Sequence, residues 1–184
     1  MNRLITGVKK KAEEKQIDFE IIEYGFKVEM AFLIDVFLAV LVCSFIDQTW
    51  QSLAFITAFS FLRTECGGYH CKTYFTCGSL YICMVFSSCL LNCLFVLKGH
   101  EWLILVPIAY LYLVSPVQNE NNPLCKEEKE VHKKQVRIRL MISCIAYFAL
   151  WVMDQYIWMR MQFYVVLWLS LLCLIQQFQN RKGV

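Results

Sequence analysis

The stretch YFTCGSLYICMVFSSCLLNCLFVL, Tyr74 to Leu97, decides the fold class, because 24 residues pass without one Asp, Glu, Lys or Arg. A helix that crosses a bilayer needs about 20 apolar residues, within a range of about 17–25. This run therefore reads as a membrane helix. Working outward, Phe26–Ile46, Trp102–Val117, Ile138–Met153 and Met161–Phe178 are further candidates, some of them short. Trp50–Leu62 is the doubtful segment, since its 13 residues reach only about 20 Å as a helix against a hydrocarbon layer of about 30 Å. It crosses with help from its flanks or re-enters.

Composition agrees. The chain is 58% hydrophobic with a mean hydropathy of +0.47 over 184 residues, against an apolar share of about 45–50% in soluble domains. The expected fold is all-α, a polytopic membrane helical bundle of about six membrane segments, some short or re-entrant. Nothing resembles a linker, so residues 1–184 read as one integral membrane domain. Residues 1–25 mix Arg3, Lys9, Lys10, Lys11 and Lys15 with acidic residues and lack an apolar core, which excludes a cleavable signal peptide. Leu4, Ile5, Val8 and Ala12 recur at helical spacing, so this segment is expected to be an amphipathic helix on the cytoplasmic membrane surface.

Sidedness follows from the excess of Lys and Arg in cytoplasmic loops. With the N-terminus inside and six crossings, all but Lys98 and Arg160 of the 18 basic residues lie inside. Without the Trp50–Leu62 crossing the bias disappears. The expectation is a multi-pass protein of the cell membrane, with both termini, the segment around residues 63–73 and a loop over 118–137 at the cytoplasmic face. Asp35 sits near the middle of the first run, with Glu29 before it. Such carboxylates usually face a cavity or a partner, though a shallow amphipathic helix would account for them as well.

Just before the opening run stands FLRTECGGYHCKTYFTCG, Phe61 to Gly78, where three cysteines, one histidine and a Gly-Gly pair crowd between oily flanks. Most of the ten cysteines fall inside apolar runs and read as small buried hydrophobes. Cys66, Cys71, Cys77 and Cys125 lie among polar residues. A thiol becomes a nucleophile as its thiolate, usually beside an imidazole. His70 has three candidate partners in Cys66, Cys71 and Cys77. Cys77 follows by seven residues, about 10 Å along one straight helix, so contact requires the break that Gly67, Gly68 and Gly78 permit. The chemistry leaves Cys77, at a helix N-terminus, in balance with Cys66 and Cys71. A zinc site from Cys66, His70, Cys71 and Cys77 competes, but the spacing C-x3-H-C-x5-C lacks the paired ligands usual for structural zinc, and no metal or other cofactor is expected.

Arg63, Gly67-Gly68, His70 and Cys77, in the pattern R-x3-G-G-x-H-x6-C within a small multi-spanning chain, resemble the accessory gene regulator B (AgrB) family of membrane peptidases. The stretch VSPVQNENNPLCKEEKE, with Pro116, Asn122 and Pro123, looks like that family's polar loop before the last helices. The resemblance covers nearly the whole chain. Cys66 and Cys71 depart from the pattern. The resemblance implies a membrane-embedded cysteine endopeptidase that cleaves a small AgrD-like precursor peptide and supports its cyclisation, as a thiolactone or lactone, into a quorum-sensing pheromone. It makes Cys77 and His70 the catalytic pair, with the acyl chain held on Cys77 as a thioester. Supporting or substrate-binding positions are then Arg63, Gly67, Gly68 and Glu65, together with Lys126, Lys129, Lys133 and Lys134 as a docking patch for an acidic precursor tail. The implied partners are the precursor, the lipid bilayer and a second copy of the chain as a homodimer, and no nucleic acid. The competing readings are a small membrane transporter component using Asp35 and Glu29, and a zinc-stapled membrane scaffold.

Overall fold

The computed structural model describes residues 19–71, 73–94, 101–118 and 125–182. Six α-helices account for most of them: α1 Phe19–Ser44, α2 Thr49–Cys66, α3 Tyr74–Leu94, α4 Leu105–Val114, α5 Lys126–Val152 and α6 Tyr156–Lys182, with a 3-10 turn Glu101–Ile104 leading into α4. There is no strand among the described residues, only an isolated parallel bridge between Gly67 and Val117. The fold is the expected all-α bundle. Of the amphipathic segment expected over residues 1–25, positions 1–18 lie outside the described residues and the remainder already belongs to α1.

Among the described residues three helices are long and apolar enough to cross a membrane: α3, the Glu127–Val152 part of α5 and the Tyr156–Arg181 part of α6. With large apolar side chains such as Phe37, Phe45, Leu113 and Ile145 turned outward, the chain is a membrane protein, since a water-facing surface of that character would associate. The doubtful Trp50–Leu62 segment becomes an 18-residue helix, about 27 Å long. It runs through Arg63 and Glu65 because both find partners within the protein. The run expected over Trp102–Val117 is shorter than its composition suggests: α4 has 10 residues and stops at Ser115, before Pro116.

Short turns join α1 to α2 and α5 to α6. Asp47 and Asp154 adopt left-handed backbone in the α1–α2 and α5–α6 turns, which Asp tolerates better than branched residues. α1 lies along α3, α2 packs against α5 and α6, and α6 also meets α3 and α4. The core runs down the centre, through Phe55 and Leu62 of α2, Val85 of α3, Leu111 of α4, Leu140 of α5 and Val165 and Leu169 of α6.

One expectation is overturned. The Lys/Glu run read as part of a polar loop over 118–137 is helical from Lys126 onward. Cys125 begins it with a capping box: its N–H donates to Glu128 Oε2 at 2.9 Å, and its Sγ accepts from the Glu128 N–H at 3.5 Å. The alternating charges then lie along the exposed turns of α5 rather than in an irregular loop.

Candidate active site

The C-terminal end of α2 sets the geometry. Gly67 and Gly68 take φ values of 69° and 108°, a region that favours glycine. A side chain at Gly67 would overlap the Val117 carbonyl, and one at Gly68 would come within 2.6 Å of Arg63 Nη1. Three backbone hydrogen bonds then fix the bend. Gly68 N–H donates to Val117 O at 3.2 Å, Val117 N–H donates to Cys66 O at 3.0 Å, and Tyr69 N–H donates to Leu172 O of α6 at 3.1 Å. Arg63 closes it from within, donating through Nη1 to Gly67 O and through Nη2 to Tyr69 O at 2.5 Å. The Arg63 guanidinium is thus committed to the chain's own carbonyls.

His70 leaves this bend with its ring exposed. Partial desolvation, and then the Arg63 cation, hold its pKa below the ordinary histidine value. Desolvation and a nearby positive charge both disfavour imidazolium, so the ring is kept in the neutral form that can take a proton. Cys77 approaches from α3. Thr73 caps that helix, accepting from the Thr76 N–H at 3.2 Å through Oγ1, as Ser and Thr do at N-caps. Cys77 follows in the first turn, half-buried, where exposed N–H groups give the helix end a positive character. The Cys71 backbone N–H, the Arg63 guanidinium and the Asp35 carboxyl all lie near enough to act on its thiol. His70 and Cys77 are brought to the two sides of one short connection, and in this structure no hydrogen bond joins them.

The other cysteines separate by burial. Cys66 is 1% exposed, beside Cys173, so its thiol is closed to a peptide. Cys71 is half-buried and unpaired by disulfide. Among the described residues no group of three His, Cys, Asp or Glu side chains is placed to hold a metal ion.

Glu65 faces α5. One oxygen pairs with Arg139 Nη2 at 2.8 Å and the other meets His132 Nδ1 at 2.6 Å. Arg139 also donates to Phe61 O and to Thr64 Oγ1. Glu65 therefore locks α5 onto the end of α2. Neither His132 nor this lock was legible in the sequence, because a separation of 67 residues leaves no local signal. Lys129 and Lys134 are exposed on the first turns of α5 and Lys133 is half-buried, 3.8 Å from Glu130. Spacing puts positions 126, 129 and 133 on one stripe of that helix, with 134 beside it. An apolar groove of about 600 Å³ opens elsewhere, between α2, α5 and α6, lined by residues such as Trp50, Phe61, Trp158 and Gln162. It includes neither His70 nor Cys77.

The family model of accessory gene regulator B matches residues 1–177. No curated protein and no solved structure matches the chain.

Proposed function

The chain belongs to the accessory gene regulator B family, and from that premise we propose that it is a membrane cysteine endopeptidase that cleaves a small precursor peptide and supports its cyclisation into a pheromone. The observation that supports this reading is the bend at Gly67–Tyr69, clamped by Arg63 and backed by Val117 and Leu172, from which a neutral His70 emerges three residues before Thr73, the cap of the helix that carries Cys77. His70 takes the proton of Cys77, and the thiolate attacks a backbone carbonyl of the precursor. His70 returns the proton to the leaving amine and the C-terminal tail departs. The upstream part remains as a thioester on Cys77. A Cys or Ser within the peptide then attacks that thioester, closing the ring and freeing Cys77.

The missing hydrogen bond between base and nucleophile is compatible with this scheme, since such contacts commonly tighten only when substrate binds. Water must be kept from the acyl-enzyme if cyclisation is to outrun hydrolysis, and a site at the edge of an apolar bundle serves that need. The basic stripe at the start of α5 suits an acidic precursor tail. Both termini and the site are assigned to the cytoplasmic face, on the distribution of Lys and Arg.

The test is cleavage of a synthetic precursor in proteoliposomes. Cys77→Ala and His70→Ala are expected to abolish cleavage while still inserting, whereas Cys66→Ala and Cys71→Ala retain most of it. An inactive Cys71→Ala beside an active Cys77→Ala would move the nucleophile and sink the assignment.

A further inference from the structure

Asp35 lies in α1 within the apolar run MAFLIDVFLAV, half-buried, and among the described residues neither a hydrogen-bond donor nor a cation is paired with it. A carboxyl group in such a run ordinarily faces a cavity or a partner. α3 makes room for this one. The residue opposite is Gly78, where a Cβ would overlap Asp35 Oδ1 and fall 2.5 Å from Oδ2 and 2.7 Å from Cγ. Only a bare Cα lets the carboxyl seat there. The seat adjoins Cys77, whose thiol Asp35 reaches electrostatically.

A second observation lies one turn along the same helix. The Tyr81 hydroxyl is buried beside Ser60, and Asp35 lies near enough to act on it as well. Buried polar groups are nearly always satisfied, and exceptions call for an explanation. Here a carboxyl with no partner among the described residues, and a buried hydroxyl from a second helix, lie around the proposed nucleophile. A peptide supplies what the carboxyl lacks, since each non-Pro residue carries a backbone N–H donor.

We propose that Asp35 is a substrate-contacting residue of the Cys77 site, accepting a hydrogen bond from a backbone N–H of the bound precursor and so setting the reacting carbonyl over Cys77 Sγ. This rests on the reading of Cys77 as nucleophile. Gly78 is then the residue that holds Asp35 in register, and its helical position is one where Ala would be favoured on propensity alone.

The test measures single-turnover acylation of Cys77 by a synthetic precursor in proteoliposomes, for the full chain and for Asp35→Ala, Asp35→Asn, Gly78→Ala and the double variant Asp35→Ala/Gly78→Ala. Gly78→Ala leaves the chemistry of Asp35 intact and only displaces it. Acylation is expected to fall about 100-fold in Asp35→Ala and in Gly78→Ala, the size of loss that misplacing a reacting group produces. Asp35→Asn keeps an acceptor oxygen and is expected to stay within about 10-fold. The double variant restores the room but not the acceptor and is expected to remain slow. Alkylation of Cys77 by iodoacetamide is not expected to slow in any of them, which separates alignment of the peptide from damage to the thiol. Acylation in Asp35→Ala within about threefold of the parent, or recovery in the double variant, would overturn the proposal and leave Asp35 as packing. Cleavage that survives in Cys77→Ala would instead overturn the nucleophile assignment, and is read on that variant alone.

Discussion

At the level of single residues, the two groups with the clearest physical demands are His70 and Gly67. Desolvation and the Arg63 cation lower the His70 pKa, so the base stays deprotonated to lower pH than an ordinary histidine, near 6.5. The acid limb of kcat/KM against pH is expected to have its midpoint below that value. In Arg63→Gln the residual activity should show the limb moved upward, because one of the two causes is gone. A midpoint unmoved in that variant would mean that the cation does not bear on the base. Gly67→Ala faces both a positive φ and the Val117 carbonyl. It is expected to lose cleavage by at least about 100-fold while Cys77 remains alkylatable. The break at Gly67-Gly68 was legible because paired glycines carry a local signal. That Arg63 would spend its donors on Gly67 O and Tyr69 O was not, since a basic side chain announces a partner without saying which.

Among the elements, α5 teaches most. A run of Lys and Glu after Asn and Pro reads as loop, yet Cys125 and Glu128 cap a helix there. Cysteine is absent from the usual N-cap set of Ser, Thr, Asp and Asn, which explains why the start was missed. Once helical, the segment carries its lysines as a stripe, and this shapes the prediction for them. Replacing Lys126, Lys129, Lys133 and Lys134 with Gln is expected to raise KM for an acidic-tailed precursor with little change in kcat, the signature of binding shared by ground and transition states. Salt should weaken the parent toward the variant, with a screening length of about 8 Å at 0.15 M. An unchanged KM in a correctly inserted variant would leave these lysines to topology. The other end of the same helix segment is fastened by Glu65. Glu65→Gln strips the charge from its contacts with Arg139 and His132 and is expected to cost about 1–3 kcal/mol, read as a lower melting temperature in detergent. If thermal stability is unaffected, solvent already does the work of that carboxylate.

For the molecule as a whole, the bias of basic residues predicts one-sided chemistry. An impermeant thiol reagent added outside intact cells is expected to miss Cys71, Cys77 and Cys125, and to reach Cys125 in inverted vesicles. Labelling of Cys77 from outside would reverse the sidedness. The all-α bundle itself was legible from the apolar runs, and Trp50–Leu62 proved to be the centre of a longer helix, Thr49–Cys66. What escaped was assembly at a distance: Val117 and Leu172 stand far along the chain from Gly67 and Tyr69, and Asp35 meets Gly78 across the α1–α3 seam. Those bonds from Gly68, Val117 and Tyr69 are all main chain to main chain. Mutation at Tyr69, Val117 or Leu172 is therefore restrained by volume and by the exclusion of Pro, whereas Gly67, Gly68 and Arg63 are restrained by their own chemistry. The support beneath His70 is thus built from peptide units rather than from side-chain identities, so those three positions can change letters while the imidazole stays where it is.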